Sequence, residues 1–157
     1  MSTPTADPAP SHLLPVQPDG WPPPRGYANG ILAFGRRLYV AGQVGWDERE
    51  RLVSPEFAPQ FARALDNVLA VVHQAGGRAS DLVKMTVFVT DLDAYVASRR
   101  ALRDVWRQRF GTHYPAMSLI GIARLFEPGA LVEIEAMAEI PSGPGEPRSA
   151  PKVSSSS

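Results

Sequence analysis

Glu133, Glu135 and Glu139 stand on one side of an alternating stretch, residues 131–140 (LVEIEAMAEI), with Leu131 and Met137 between and before them. The other side is wholly apolar: Val132, Ile134, Ala136, Ala138 and Ile140. A period of two over ten residues is that of a strand with one buried face. Carboxylates repel one another along a strand face, so this face is either wet or gives at least one glutamate a partner and a task. The task carboxylates perform best is proton transfer. A carboxylate shielded by apolar neighbours holds its proton nearer to neutrality and can serve as a general base toward water. Glu133, between Val132 and Ile134, is expected to be the deepest of the three.

Other residues with chemical potential are scattered. Gly42 and Gly45 fall in and just after an apolar run at residues 38–44; glycine inside a strand marks a bulge or a ligand lying against exposed backbone. Trp46 follows in a polar loop, where packing or an interface accounts for it. Lys84 alternates with Thr86 and Phe88 on one side of a second long strand, residues 81–90, whose other side is Val83, Met85, Val87 and Val89. Arg99, Arg100, Arg103, Arg107 and Arg109 crowd one helical segment. Arg99 shares roughly the angular position of Tyr95, Leu102 and Trp106, which places it near a buried edge. His73, near a helix end, and His113, before Tyr114-Pro115, are expected to be structural.

The elements that must hold these residues read in order. Residues 31–34 and 38–44 form two apolar runs about Gly35-Arg36-Arg37, the pattern of a hairpin. Ser54-Pro55 opens a helix with a serine cap, carrying the stripe Phe57, Phe61, Ala64, Leu65, Val68, Leu69 and Val72 up to Gly76-Gly77. Asp93 can cap a second helix that Gly111 stops. Strand, strand, helix, strand, helix, strand, strand implies a mixed sheet with two helices on one face. The opposite face, half apolar and half charged, calls for a partner, and a symmetric oligomer is the usual solution.

Composition narrows the classes. The chain has 157 residues, with sixteen basic and sixteen acidic side chains. No net positive field draws nucleic acid or an anionic membrane, and no nucleic-acid partner is expected. The lack of cysteine removes disulfides, thiolate metal sites and cysteine nucleophiles, and suits a cytoplasmic location. Neither a secretory leader nor an apolar run long enough to cross a bilayer is expected. Half of the sixteen prolines precede residue 26 and four follow residue 140. Residues 1–25 and 141–157 therefore read as mobile tails around a single folded domain, residues 26–140.

Four segments, RGYANGILAFGRRLYVAGQVG, QFARALDNVLAVVHQAGG, DLVKMTVFVTDLDAY and YPAMSLIGIARLFEPGALVEIEAMA, are similar in order and spacing to the RidA/YjgF (Rid) family of imine and enamine deaminases. The resemblance spans nearly all of residues 26–140. It implies a chorismate-mutase-like α+β fold and a homotrimer with clefts between subunits. It also implies hydrolysis of small reactive enamines or imines to ketones and ammonia with no cofactor and no metal. By the same resemblance Glu133 is the carboxylate that handles the attacking water. Tyr27, Gly42 and Leu119 match substrate-contacting positions, Gly42 and Leu119 through their backbone. The departures are Met117, where active members carry an arginine that grips the substrate carboxylate bidentately, and Arg99, where the family has asparagine. Met117 implies a substrate other than the usual amino-acid-derived iminoacids, with an enamine resembling 2-aminomuconate as one form. Arg99 could restore the lost cation from a neighbouring subunit or merely pair with a surface acid. The alternatives to a hydrolase are a trimeric ligand-binding or chaperone-like module and, against the neutral charge, an RNA-cleaving or translation-inhibiting protein.

Overall fold

A computed structural model describes residues 12–142. Its elements are β1 (Leu13–Val16), β2 (Gly30–Ala33), β3 (Arg36–Val44), α1 (Phe57–Gln74), a 3₁₀ turn (Ala79–Asp81), β4 (Leu82–Val89), α2 (Leu92–Phe110), β5 (Ala116–Gly121) and β6 (Val132–Ile140). The expected α+β architecture is present: β3, β6, β4 and β5 make a four-stranded mixed sheet in that order. The pair β4–β5 is parallel, while β3–β6 and β4–β6 are antiparallel.

The alternation of residues 131–140 works as the periodicity predicts. Val132, Ile134, Ala136, Ala138 and Ile140 are all buried, with Met85, Val87 and Val89 of β4 beside them. Both helices seal this side: Phe61, Ala64, Leu65, Val68 and Val72 of α1 join Leu102, Trp106 and Phe110 of α2 in one cluster. Each aliphatic side chain buried there contributes about 1.5–3 kcal/mol. Trp106 stacks on Phe110 at 4.3 Å and on Tyr114 at 5.4 Å, closing the end of α2. The other face of the sheet carries Tyr39, Lys84, Thr86, Glu135 and Met137 around an open concavity of about 480 Å³. No helix among the described residues is long and apolar enough to cross a membrane.

Three expectations need correction. Residues 31–34 and 38–44 do not form a hairpin: β2 leaves the main sheet and pairs antiparallel with β1, Leu14 opposite Leu32. Ordered chain also begins well before residue 26. Although proline-rich surroundings suggest a tail, Leu13 is buried, and the His12 ring donates from Nε2 to the Glu139 carbonyl at 2.8 Å. The same nitrogen lies 3.3 Å from Oδ1 of buried Asp81, so one side chain clasps β1 to the core. Residues 1–11 and 143–157, the remainder of the expected tails, lie outside the described residues. Both helix caps also shift. Glu56 rather than Ser54 precedes α1, with the Ser54 hydroxyl accepting from the Glu56 amide at 3.0 Å. Asp91 rather than Asp93 caps α2, accepting from the Ala94 amide at 2.9 Å.

Candidate active site

The three glutamates of β6 meet three different fates. Glu139 is 2% exposed, and Arg37, its cross-strand partner on β3, donates to it from Nε at 2.5 Å. That hydrogen bond, reinforced by Tyr39 and by the charge of Glu139, raises the Arg37 pKa further. Glu135 is exposed opposite Thr86. Glu133 is half-buried, opposite Phe88 of β4. The deepest carboxylate is therefore Glu139, not Glu133. The His12 clasp and the start of β3 lie against that end of the strand, whereas Glu133 stands near its beginning.

What distinguishes Glu133 is the backbone beside it. The pairing of β3 with β6 slips between Val40 and Gln43, leaving Ala41 and Gly42 in a bulge. A Cβ on Gly42 would fall 1.8 Å from Glu133 Oε1 and 2.7 Å from its Cδ. The carboxylate thus occupies the space a side chain at position 42 would take. The bulge, one of the two readings of the sequence, is present, and the group that approaches the backbone there is the Glu133 side chain.

The remaining predicted residues gather elsewhere. Ala28 bridges Ala116, and its amide donates to Pro115 O at 3.0 Å, which sets exposed Tyr27 beside the outer edge of β5. Leu119, 42% exposed, lies on the same strand. Met117 pairs with Met85 and packs against the helix-side core, on the opposite face from Glu133. Within one chain it fills the core rather than shaping a pocket beside the carboxylate. Arg99 is exposed, contrary to expectation. The stripe that α2 buries runs through Ser98, Leu102, Trp106 and Phe110, and Arg99 falls just outside it. One chain therefore holds Glu133 with Gly42 on the β3–β6 side of the sheet, and Tyr27, Met117 and Leu119 on its β5 edge; Arg99 joins neither group.

Gln60 is a contributor that the sequence patterns do not single out. Gln60 is wholly buried; its Nε2 donates to Ser54 O at 2.8 Å and Gly129 O at 3.0 Å, and its Oε1 accepts from Leu131 N at 2.8 Å. It fixes the chain two residues ahead of Glu133. A polar residue on the apolar stripe between Phe57 and Ala64 was the available signal. Gly45 packs so closely on Gln60 that a Cβ there would sit 2.6 Å from Gln60 Cα. Lys84 donates to Ser118 Oγ at 3.0 Å across β4 and β5. His113 is structural: its Nε2 lies 2.8 Å from Leu82 O, and its carbonyl accepts from Trp106 Nε1 at 3.1 Å. Burial lowers the His113 pKa, opposed by the Leu82 carbonyl and the charge of Asp81. Trp46 is held by its backbone, its carbonyl accepting from Arg63 Nε at 2.9 Å and Asn67 Nδ2 at 3.0 Å. Among the described residues no group of three or more histidine, aspartate or glutamate side chains could hold a metal ion.

Residues 21–140 match the model of the endoribonuclease L-PSP family. The chain is 34% identical over 112 residues to the 2-iminobutanoate/2-iminopropanoate deaminase of Escherichia coli K12, covering 71% of this chain and 85% of that protein. It is 30% identical over 118 residues to a RutC family protein of Pyrococcus abyssi, covering 74% and 89%. Among solved structures it resembles a protein of unknown function of the conserved Rid family from Yersinia pestis, with TM-score 0.73, 28% identity and coverage of 82% and 99%. RidA from the Antarctic bacterium Psychrobacter sp. aligns with TM-score 0.59, 31% identity and coverage of 81% and 99%.

Proposed function

We propose, starting from the fact that this chain belongs to the endoribonuclease L-PSP (RidA/YjgF) family, that it is a hydrolytic deaminase of imines, enamines or related activated C–N substrates. Glu133 takes a proton from water as the oxygen adds to the C=N carbon. Glu133 passes that proton to nitrogen, giving a carbinolamine; transfer of the hydroxyl proton to nitrogen then breaks the C–N bond, releasing ammonia and leaving a ketone with the carboxylate ionised again. An enamine first gains a proton at carbon to give the imine. The observation that supports this role most is the bulge at Gly42, which makes room for the Glu133 carboxylate beside bare backbone.

The working form is a homotrimer in the cytoplasm, with each cleft built from two copies. The separation of the Glu133–Gly42 pair from the Tyr27–Leu119 edge favours this: a head-to-tail contact would bring one group against the other. It would also cover the open face on which Tyr39, Lys84, Glu135 and Met137 lie. Met117 at the position of the usual arginine excludes a bidentate grip there, so the substrate is one that does not depend on a carboxylate next to its C=N bond. The same substitution favours a second reading, a trimeric binding module without catalysis.

Ketimines generated in place by an amine oxidase from branched aliphatic and aromatic amines, with no carboxylate on the carbon bearing nitrogen, test the chemistry. The hydrolase releases ammonia and ketone above the buffer rate, and labelled water places its oxygen in the ketone. A panel that stays at the buffer rate leaves the binding module. Light scattering checks the assembly, and a monomer at working concentration would remove the two-copy cleft.

A further inference from the structure

The loop between β5 and β6, residues 123–130, bounds an open cavity of about 710 Å³, within the size range of small-molecule sites. Thr90, Arg124, Phe126 and Glu127 are among its walls. Phe126 is fully exposed, and Arg124 is exposed with no carboxylate within salt-bridge distance among the described residues. A large aromatic ring and an uncompensated guanidinium on one loop tip are poor choices for a simple connection.

The loop is also held in place. Gln60, buried in α1, grips its end through Gly129 O and Leu131 N. Gly129 turns the chain at φ +81°, and the Ala130 amide donates to Glu127 O at 3.1 Å. A binding group on a pinned loop loses less conformational freedom when its ligand arrives. The cavity's wall at Thr90 lies two residues along β4 from the partner of the carboxylate: the Thr90 amide donates to Leu131 O at 3.1 Å, and the next pair along the same face is Phe88 with Glu133.

We infer that this loop is the substrate-recognition subsite, taking a monoanion joined to an aromatic body. Arg124 receives the anion and the ring of Phe126 stacks on the body. Glu127 on the same rim repels a second negative charge and limits the ligand to one. The inference rests on the hydrolase reading and adds the substrate class: the anion lies away from the C=N bond, on the β5–β6 loop, rather than at the position of Met117.

Binding is measured on the full chain by calorimetry and by amide NMR, with phenylacetate as the aromatic monoanion and with acetate and benzyl alcohol as its separate halves. Phenylacetate is expected to bind more tightly than either half and to shift the amides of Thr90, Arg124 and Phe126. Arg124→Gln and Phe126→Ala should each weaken it about fivefold, as loss of an exposed charge pair or of one stacking contact does. Both side chains are exposed, so neither change threatens folding. No saturation by about 10 mM, wild-type affinity retained in both variants, or shifts confined to Tyr39 and Met137 would overturn the subsite. Turnover is not needed for this equilibrium. A protein that binds phenylacetate here but hydrolyses no imine loses the hydrolase reading alone, and one that hydrolyses imines without binding here loses the subsite alone.

Discussion

Gly42 and Glu133 share one volume: the carboxylate of Glu133 lies where a side chain on Gly42 would begin, 1.8 Å from its ideal Cβ. Adding a methyl group there forces the flexible carboxylate aside rather than the backbone. Gly42→Ala should therefore leave the melting temperature nearly unchanged while lowering imine turnover by about 100-fold, the scale of a misplacement of roughly 1 Å. Paired melting curves and turnover rates check this; a large loss of stability with turnover per folded molecule intact would show that the site does not depend on the bulge.

Gln60 has the opposite profile. Gln60→Leu keeps the volume but strands the Leu131 amide and the Gly129 carbonyl without partners, each worth about 1–3 kcal/mol when buried. Urea unfolding should show a loss of about 3 kcal/mol, and amide exchange at Leu131 should quicken. Gln60→Glu retains the acceptor for Leu131 and should retain slow exchange there while still losing stability.

Arg37 and Glu139 form a cross-strand ion pair in which only the arginine meets solvent, at 53% against 2% exposure. Removing the arginine leaves a buried carboxylate uncompensated. Arg37→Met should lower the urea midpoint, and Arg37→Met with Glu139→Leu should recover much of that loss. Equal losses in the single and double variants would show that the pair contributes through packing alone.

Acid sensitivity should trace partly to His113. Burial holds its folded pKa below the ordinary 6.5, so between the two values the unfolded chain binds more protons. The stability it contributes is complete above about 6.5 and is lost as the pH falls below that toward the folded value. His113→Gln should flatten this part of the stability–pH curve, read from urea midpoints at intervals through the range. An unchanged slope would place the titrating group elsewhere.

The sequence disclosed most where periodicity and burial act together. Residues 131–140 alternate because one face seals the core, and α1 shows its stripe for the same reason. The path of residues 30–44 was hidden. Two neighbouring apolar runs around a glycine look like a hairpin, yet β2 takes β1 as its partner, and Pro15 with the prolines around it disguised β1 as tail. The depth of Glu139 is hidden in the sequence because the partner of its carboxylate is Arg37, more than a hundred positions away in the chain. Arg99 stands one position off the buried stripe of α2, which passes through Ser98 on the way from Tyr95 to Leu102. The Glu133–Gly42 contact could be suspected from a glycine inside a strand, but the register slip that creates it appears only in three dimensions.

Ammonia release by the wild-type chain and by Glu133→Gln, side by side on the same oxidase-generated imines, bears most directly on the role of this carboxylate. Wild type should exceed the buffer rate, and Glu133→Gln, folded and assembled as wild type, should fall by about 100-fold or more toward it. Equal rates in the two proteins, both above buffer, would assign the chemistry to other residues.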